Sequence, residues 1–401
     1  MLKNSAIHKK QNPPKNPVSS KIAIVGTGPA GVYCALRLIE EFKKMGQNRY
    51  SITLFDPKET LSTILPTGGG RCNLAFGEHD FKTLASFYPR GEKFLYSIFS
   101  RYSTAETLEY FEKIGIKTYT QEDRRIFPVS NSSKTLRAQL IAELLKSKNI
   151  KIIKKEIKNI EELDKYDIVV LATGSKDCSG LAKQFKHTVI PLKPVLCGLK
   201  IKDKGENFPI GVSLDTNDGG IIFTHAGVSG PCIFKISSKN VNKPFPYEIN
   251  IPILKQDKLL ELLAKNSTKS FGNVVSQIIP RSLTQYLFEK YEIDFNKQAA
   301  HAKKEEIKKL ENLTLIAENI DGKGEIVHAG GVDLTEIDKN CHSKIVSNLW
   351  IIGENLNIDG FCGGFNLQNC WSTAAIAATD IVKFCNKTFI TQNNNKNEIV
   401  T

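Results

Sequence analysis

Lys21–Gly31 reads KIAIVGTGPAG, and the reading of this stretch decides the fold. Lys21–Val25 is a β-branched apolar run, the pattern of a buried strand. Gly26, Gly28 and Gly31 follow in G-x-G-x-x-G spacing, with Pro29 and Ala30 before the last glycine, and a helix-like run continues to Met45. Gly26 permits a tight turn out of the strand, Gly28 lets backbone approach a pyrophosphate, and Gly31 lets the helix pack on the sheet. The helix start then offers unpaired N–H groups and a positive dipole end to phosphates. A second strand pattern, Ser51–Phe55, ends at Asp56, 25 residues past Gly31, where a carboxylate is placed for ribose hydroxyls. No arginine stands beside Asp56, which argues against a 2′-phosphate. Bare glycine spacing is a weak signal; set between strand and helix, with the acid after it, it predicts dinucleotide binding.

The chain is long enough, at 401 residues, for two or three domains with real cores. Its hydrophobic and charged fractions, 41% and 24%, are those of a soluble globular protein. No apolar run reaches the length of a membrane span and no signal-peptide pattern is visible, so no membrane partner is expected and the protein reads as cytoplasmic. None of its nine cysteines falls in C-x-x-C spacing, which argues against a zinc site and a dithiol couple. The formal charge of +13 admits nucleic acid, but 46 lysines spread along the chain against nine arginines, without aromatic interleaving, argue for solvated faces instead.

The expected organisation is a disordered basic arm over 1–20, a first dinucleotide-binding part over 21–190, an inserted β-rich and helical substrate domain over 191–325, a return over 326–385 and a disordered tail over 386–401. In the first part, Leu61–Asn73 reads LSTILPTGGGRCN. Gly68–Gly70 leave N–H groups bare for an anion-holding nest, Arg71 adds a planar cation, and Asn73 can donate and accept. Phe81–Ile150 reads as mostly helical, interrupted by a rigid turn at Arg124–Ser130, RRIFPVS. Asp167–Ala172, DIVVLA, is a buried strand running into Thr173 and Gly174, as at the carboxyl end of a doubly wound sheet. From Pro191 the segments become short and β-like, then charged and helical over 256–315.

Leu349–Gly353, LWIIG, is a final buried strand that ends at Glu354 and leads to Gly360, Gly363 and Gly364 and a small-residue helix over 367–383. One pyrophosphate needs one glycine loop, so the second implies the other half of a long cofactor, and FAD fits. Glu354 can accept from ribityl hydroxyls, the helix start can stabilise charge on a reduced ring, and Asn366 and Gln368 are placed for ring edges. No second G-x-G-x-x-G occurs, so NADH or NADPH, if used, docks transiently.

GTGPAG (Gly26–Gly31), TGGGRCN (Thr67–Asn73), FPVS (Phe127–Ser130), LATG (Leu171–Gly174), FTHAGVSGP (Phe223–Pro231), HAGGV (His328–Val332) and GENLNIDGFCGGFNLQ (Gly353–Gln368) stand in this order. Together they make the chain resemble the HI0933-like flavoproteins, a branch of the FAD oxidoreductases that includes proteins labelled aminoacetone oxidase and bile-acid-reductase-like. The resemblance implies an α/β, Rossmann-like two-dinucleotide-binding-domain FAD fold with an inserted β-rich domain. It implies FAD held by Gly26, Gly28, Gly31, Asp56, Arg71, Asn73, Thr173, Gly174, Glu354, Gly364 and Asn366. Neighbouring positions at Pro29, Ala30, Gly70, Cys72, Ile157, Ala172, Gly353, Asp359, Gly360, Gly363, Phe365 and Gln368 complete the expected site. The chain departs from the family at ATGSKDCSG, where Ser175 replaces a second glycine, and at LSTILP, where many members carry a basic stretch. The expected activity is oxidation or reduction of a small molecule by hydride transfer, as in amine oxidation or enone reduction; a flavin-bearing redox sensor is the alternative. Arg125 and His225 are the candidate catalytic side chains.

Overall fold

The computed structural model describes residues 20–175, 178–322 and 327–397. The expected basic arm lies outside the described residues except for Ser20, which opens the first strand. Two compact units divide the chain: Met1–Pro191 with Gly330–Thr401, and Leu192–Ala329.

The first unit begins with β1 (Ser20–Val25), α1 (Pro29–Lys44) and β2 (Tyr50–Asp56). Strands β1 and β2 pair in parallel from Ser20↔Tyr50 to Val25↔Phe55, so α1 is the crossover of a βαβ unit. A single turn, α2 (Thr67–Gly70), leads to β3 (Ala75–Phe76), and then α3 (Phe81–Ser86), α4 (Glu92–Phe99) and α5 (Thr104–Lys113) follow. Next come β4 (Thr118–Thr120), β5 (Arg125–Pro128), α6 (Ser133–Leu145), β6 (Ile150–Lys154), β7 (Ile168–Leu171) and α7 (Cys178–Gln184). The stretch expected as a turn at Arg124–Ser130 is in part strand: β5 pairs with β3 and β4, and turns flank it at Arg124, with φ 68°, and at Val129–Ser130.

The second unit carries β8 (Val189–Val195) through β15 (Val327–Val332). Its main sheet has the order β10 (Ser213–Thr216), β11 (Gly219–Phe223), β12 (Gly227–Ser229), β9 (Gly198–Lys202), β14 (Asn312–Asp321), β13 (Tyr247–Pro252), and its paired strands run antiparallel. Helices α8 (Pro231–Lys239), α9 (Gln256–Lys265), α10 (Phe271–Val275), α11 (Arg281–Lys290) and α12 (Lys304–Glu311) complete it. The core of this unit is its own, built around Phe223, Ile233, Phe271, Leu287 and Phe288. Strands β8 and β15, which carry the chain across the boundary, pair with each other.

Back in the first unit, β16 (Leu349–Ile351) joins β7, completing the parallel order β16-β7-β1-β2-β6. Helix α13 (Phe365–Asn397) follows. It runs beyond the expected 367–383 into the segment expected as a disordered tail, because no glycine or proline interrupts Phe365–Asn397. Helices α1 and α13 pack together. Ala30, Gly31, Cys34 and Ala35 on the one and Ala374, Ala375, Ala377 and Ala378 on the other are buried, small side chains that let two backbones approach closely. Among the described residues no helix is long and apolar enough to cross a membrane.

Helix α5 braces this pair. Its Tyr110 and Phe111 lie 5.2 and 5.7 Å from the Tyr33 ring of α1, and Phe111 meets Trp371 of α13 edge-on at 5.5 Å. The start of α5 is closed by Glu106, whose carboxylate accepts from Ser103 N at 2.7 Å and Ser103 Oγ at 2.8 Å. Burial pushes the Glu106 carboxyl up, but the two Ser103 bonds outweigh it and hold the group below its ordinary value. A carboxyl depressed in the folded state adds stability above its unfolded value of about 4.3 and loses it as pH falls through the folded value. Glu106→Gln should therefore lower stability at pH 7 by about 1 kcal/mol, the cost of a lost cap, and flatten the acid limb of a chemical-denaturation series run from neutral pH downward. An unchanged acid limb would show that this cap is not linked to protonation.

Candidate cofactor site

The first part of the site is the turn between β1 and α1. Gly26 has φ +111° and abuts the backbone of Ala172 at the end of β7, so a side chain here has neither room nor an allowed conformation. Gly28 is the N-cap of α1; it makes no side-chain cap, Pro29 follows, and the first turn holds no acid. The positive end of the helix and its free N–H groups are thus left for an external anion. A Cβ on Gly28 would find nothing nearer than Thr63 Oγ1 at 3.8 Å, so the outer side of the turn is open. Thr27 is buried, and its Oγ1 has no hydrogen-bond partner. Asp56, half-buried at the end of β2, accepts from Thr27 N at 2.7 Å and Lys58 N at 2.8 Å. Each carboxylate oxygen keeps accepting capacity beyond one such bond, enough for ribose hydroxyls.

The second part is the TGGG turn. Gly68, Gly69 and Gly70 are all left-handed, at φ 58°, 67° and 84°, and Cys72 N closes the turn on Thr67 O at 2.9 Å. Arg71 donates from Nε to Gly68 O at 3.3 Å and lies 4.2 Å from the centre of the Phe127 ring. Asn73 is buried with its Oδ1 unpartnered. Burial pushes the Cys72 thiol up to about 11, which makes it a small buried residue and a poor nucleophile.

The third part comes from the end of the chain. Asn355, fully buried, accepts from Gly174 N at 2.9 Å and donates to Thr173 Oγ1 at 3.0 Å, tying the end of β7 to the turn after β16. Sequence gives Asn355 no role of its own; its signal is its place in the GENLN motif, beside Glu354 at a strand's carboxyl end. Gly353 donates to Thr373 Oγ1 at 3.0 Å, and a Cβ on it would lie 2.8 Å from Ala30 Cβ at the start of α1. Gly364, at φ +96°, lies so close to Ala75 that a Cβ would come within 2.7 Å of that residue's backbone. Trp371 donates to Leu74 O at 3.0 Å. The turns around Gly26, Gly68 and Gly353–Gly364 therefore belong to one unit, with Gly353 against Ala30 and Gly364 against Ala75, two residues past the TGGGRCN turn.

Several expected side chains have other employment. Gln368 is fully buried and donates from Nε2 to Thr107 Oγ1 at 2.9 Å and Ser372 Oγ at 2.8 Å, while its Oε1 has no partner. Asn366 accepts from Gly360 N at 2.8 Å and donates to Gly360 O at 3.1 Å, which makes its side chain a clamp on the loop. Asp359 is fully buried and gripped by Arg90. Phe365 stacks on Phe87 at 4.7 Å, and Ile157 is buried in the loop after β6. Arg125 donates to Asp123 Oδ2 at 2.6 Å. His225 sits on an exposed turn of the other unit. Among the described residues no group of His, Cys, Asp or Glu could hold a metal ion.

An uncapped helix start after a strand, an acid at the end of the next strand and a second glycine turn returning from the end of the chain define a dinucleotide-binding flavoprotein of Rossmann-like fold. The chain belongs to the HI0933-like family: the model of the HI0933-like protein Rossmann domain matches residues 20–380. This is a family of FAD-binding oxidoreductases, and the protein is an FAD-dependent oxidoreductase. It is similar to the 3-dehydro-bile acid delta(4,6)-reductase of Clostridium scindens, at 26% identity over 89% of this chain and 98% of the relative. It is also similar to the ribosomal RNA dihydrouridine synthase of Haemophilus influenzae, at 27% identity over 90% of this chain and 98% of the relative. The enzyme of the same name from Escherichia coli is 25% identical over 90% of this chain and 97% of its own length.

The uncapped start of α1, open on the outer side of Gly28, fits the diphosphate of FAD. Because Gly28 has an ordinary φ of −70° and room for a Cβ, Gly28→Val should leave the apo fold intact. It should weaken FAD uptake at least about tenfold by pushing the diphosphate off the turn. Fluorescence titration of apoprotein with FAD, beside a thermal melt, separates the two effects; wild-type affinity in the variant would remove this turn from the diphosphate site.

Proposed function

We propose that this protein saturates a carbon–carbon double bond conjugated to a carbonyl, using FAD reduced by NADH or NADPH docked transiently. The observation that carries the reading is the end-to-end similarity to relatives whose names share that chemistry: a delta(4,6)-reductase of a 3-dehydro steroid acid and two synthases of dihydrouridine. Bound FAD supplies hydride exchange at its isoalloxazine ring. The uncapped start of α1 would hold the diphosphate, and Asp56 would accept from ribose hydroxyls. Glu354, on the turn after β16, would accept from the ribityl hydroxyls. The positive end of α13 would favour negative charge on the cofactor and on an enolate-like oxygen of the substrate. The left-handed glycine turn with Arg71 and Asn73 orients the substrate or the ring edge by hydrogen bonds. The substrate of this first reading is a small unsaturated ketone.

One observation favours a second substrate for the same reaction. Two of the similar relatives are named ribosomal RNA dihydrouridine synthases, and a uracil ring within structured RNA carries the same conjugated double bond. Anaerobic mixing decides between these. NADH or NADPH should bleach the protein's yellow colour, and adding a steroid dienone or a ribosomal RNA transcript should restore it without oxygen, with two hydrogens gained by the product in mass spectrometry. Colour restored by oxygen alone would overturn the reading. Bleaching only by an amine, with peroxide formed in air, would replace it with an amine oxidase.

A further inference from the structure

The loop that leads into α13 is moulded on a segment far away in sequence. Phe87–Gly91, FYPRG, runs beside Ile358–Phe361, IDGF. Phe361 N donates to Phe87 O at 3.0 Å, and Arg90 and Asp359 form an antiparallel bridge. Tyr88 donates from its hydroxyl to Phe365 O at 2.6 Å, and the Phe87 and Phe365 rings stack at 4.7 Å. Gly360, next to Asp359, is the residue that Asn366 clamps through both N–H and C=O. At the centre of this arrangement Arg90 donates from Nε and Nη2 to the two oxygens of Asp359, whose side chain is wholly excluded from solvent.

A carboxylate in that position must have a countercharge, because ionised oxygen without one is costly in a dry interior. The two-pronged guanidinium also fixes direction, which an ammonium cannot. Without it, Asp359 must either take up a proton or turn toward solvent. Turning drags Gly360–Gly364 with it and leaves a negative charge beside a site built for an anionic dinucleotide.

We propose that Arg90 is a positioning residue for the cofactor: by holding Asp359 it sets Gly360–Gly364 and the first turn of α13 in the conformation that receives FAD. The inference rests on the assignment of this site to FAD. Arg90→Gln should raise the FAD dissociation constant at least about tenfold and alter the visible spectrum of the flavin that does bind, since a buried charge is stranded. The variant Arg90→Gln with Asp359→Asn removes that charge and restores affinity to within about threefold of wild type, the coupling expected of two groups acting as one. Arg90→Lys, which keeps the charge and loses the fork, falls between.

Apoprotein of each variant is titrated with FAD by fluorescence, its spectrum recorded, and hydrogen exchange of residues 358–366 followed with and without FAD; if Arg90→Gln alone does not fold, Arg90→Lys and the double variant carry the comparison. Wild-type affinity and spectrum in Arg90→Gln and Arg90→Lys overturn the proposal and leave the FAD site standing. A double variant weaker than Arg90→Gln also overturns it, because the two groups then act separately. A wild-type apoprotein that takes up no FAD removes the site assignment, and the proposal with it.

Discussion

Two helices from opposite ends of the chain, α1 and α13, lie against each other on faces of alanine, glycine and cysteine. Small side chains there let the helix starts come together, so that Gly353 touches Ala30. Tyr33, Phe111 and Trp371 fill the space beside the pair with fully buried rings. Trp371 spends its N–H on Leu74 O, one residue past the TGGGRCN turn. The turn after β16 and the start of α1 meet through this packing.

The same region is left incomplete on purpose. The start of α1 has no cap, Thr27 Oγ1 and Asn73 Oδ1 have no partners, and Gly68–Gly70 hold left-handed backbone. The missing cap and the unpartnered buried oxygens subtract from the stability of the empty protein. The cost is borne by a large first core running from β1 to α13 and by a separate core in the second unit. A ligand that satisfies these groups binds the native state alone and returns the deficit by mass action. Closed polar arrangements surround the open ones: Asn355 bridges Thr173 and Gly174, Asn366 clamps Gly360, and Arg90 holds Asp359. The rigidity of the site comes from these neighbours.

Legibility divided along the same line. Gly26, Gly28, Gly31 and Asp56 could be read because strand, turn, helix and acid are contiguous and their spacing is set by local geometry. The strand Arg125–Pro128 could not be read from its own residues, since it exists by pairing with Ala75–Phe76 and Thr118–Thr120. Asn366 and Gln368 look alike beside a glycine loop. Which of them faces the loop and which the helix interior depends on Gly360 and Thr107, and the latter lies on another element. Arg90 carried no motif, and Asn355, though inside the GENLN motif, was given no role, because the groups they serve are remote in sequence.

The sequence by itself determined that this is a dinucleotide-binding protein with a second glycine element near its end, and through its motifs it marked the family. Backbone conformation at short range suffices for that: glycine where side chains cannot go, an acid where a strand stops, apolar residues where a strand is covered on both faces. Only the tertiary structure decided which polar side chains remain open to a ligand and which are consumed in holding the turns. That choice rests on hydrogen-bond partners and charges that the fold brings together across the length of the chain, and no local spacing encodes them.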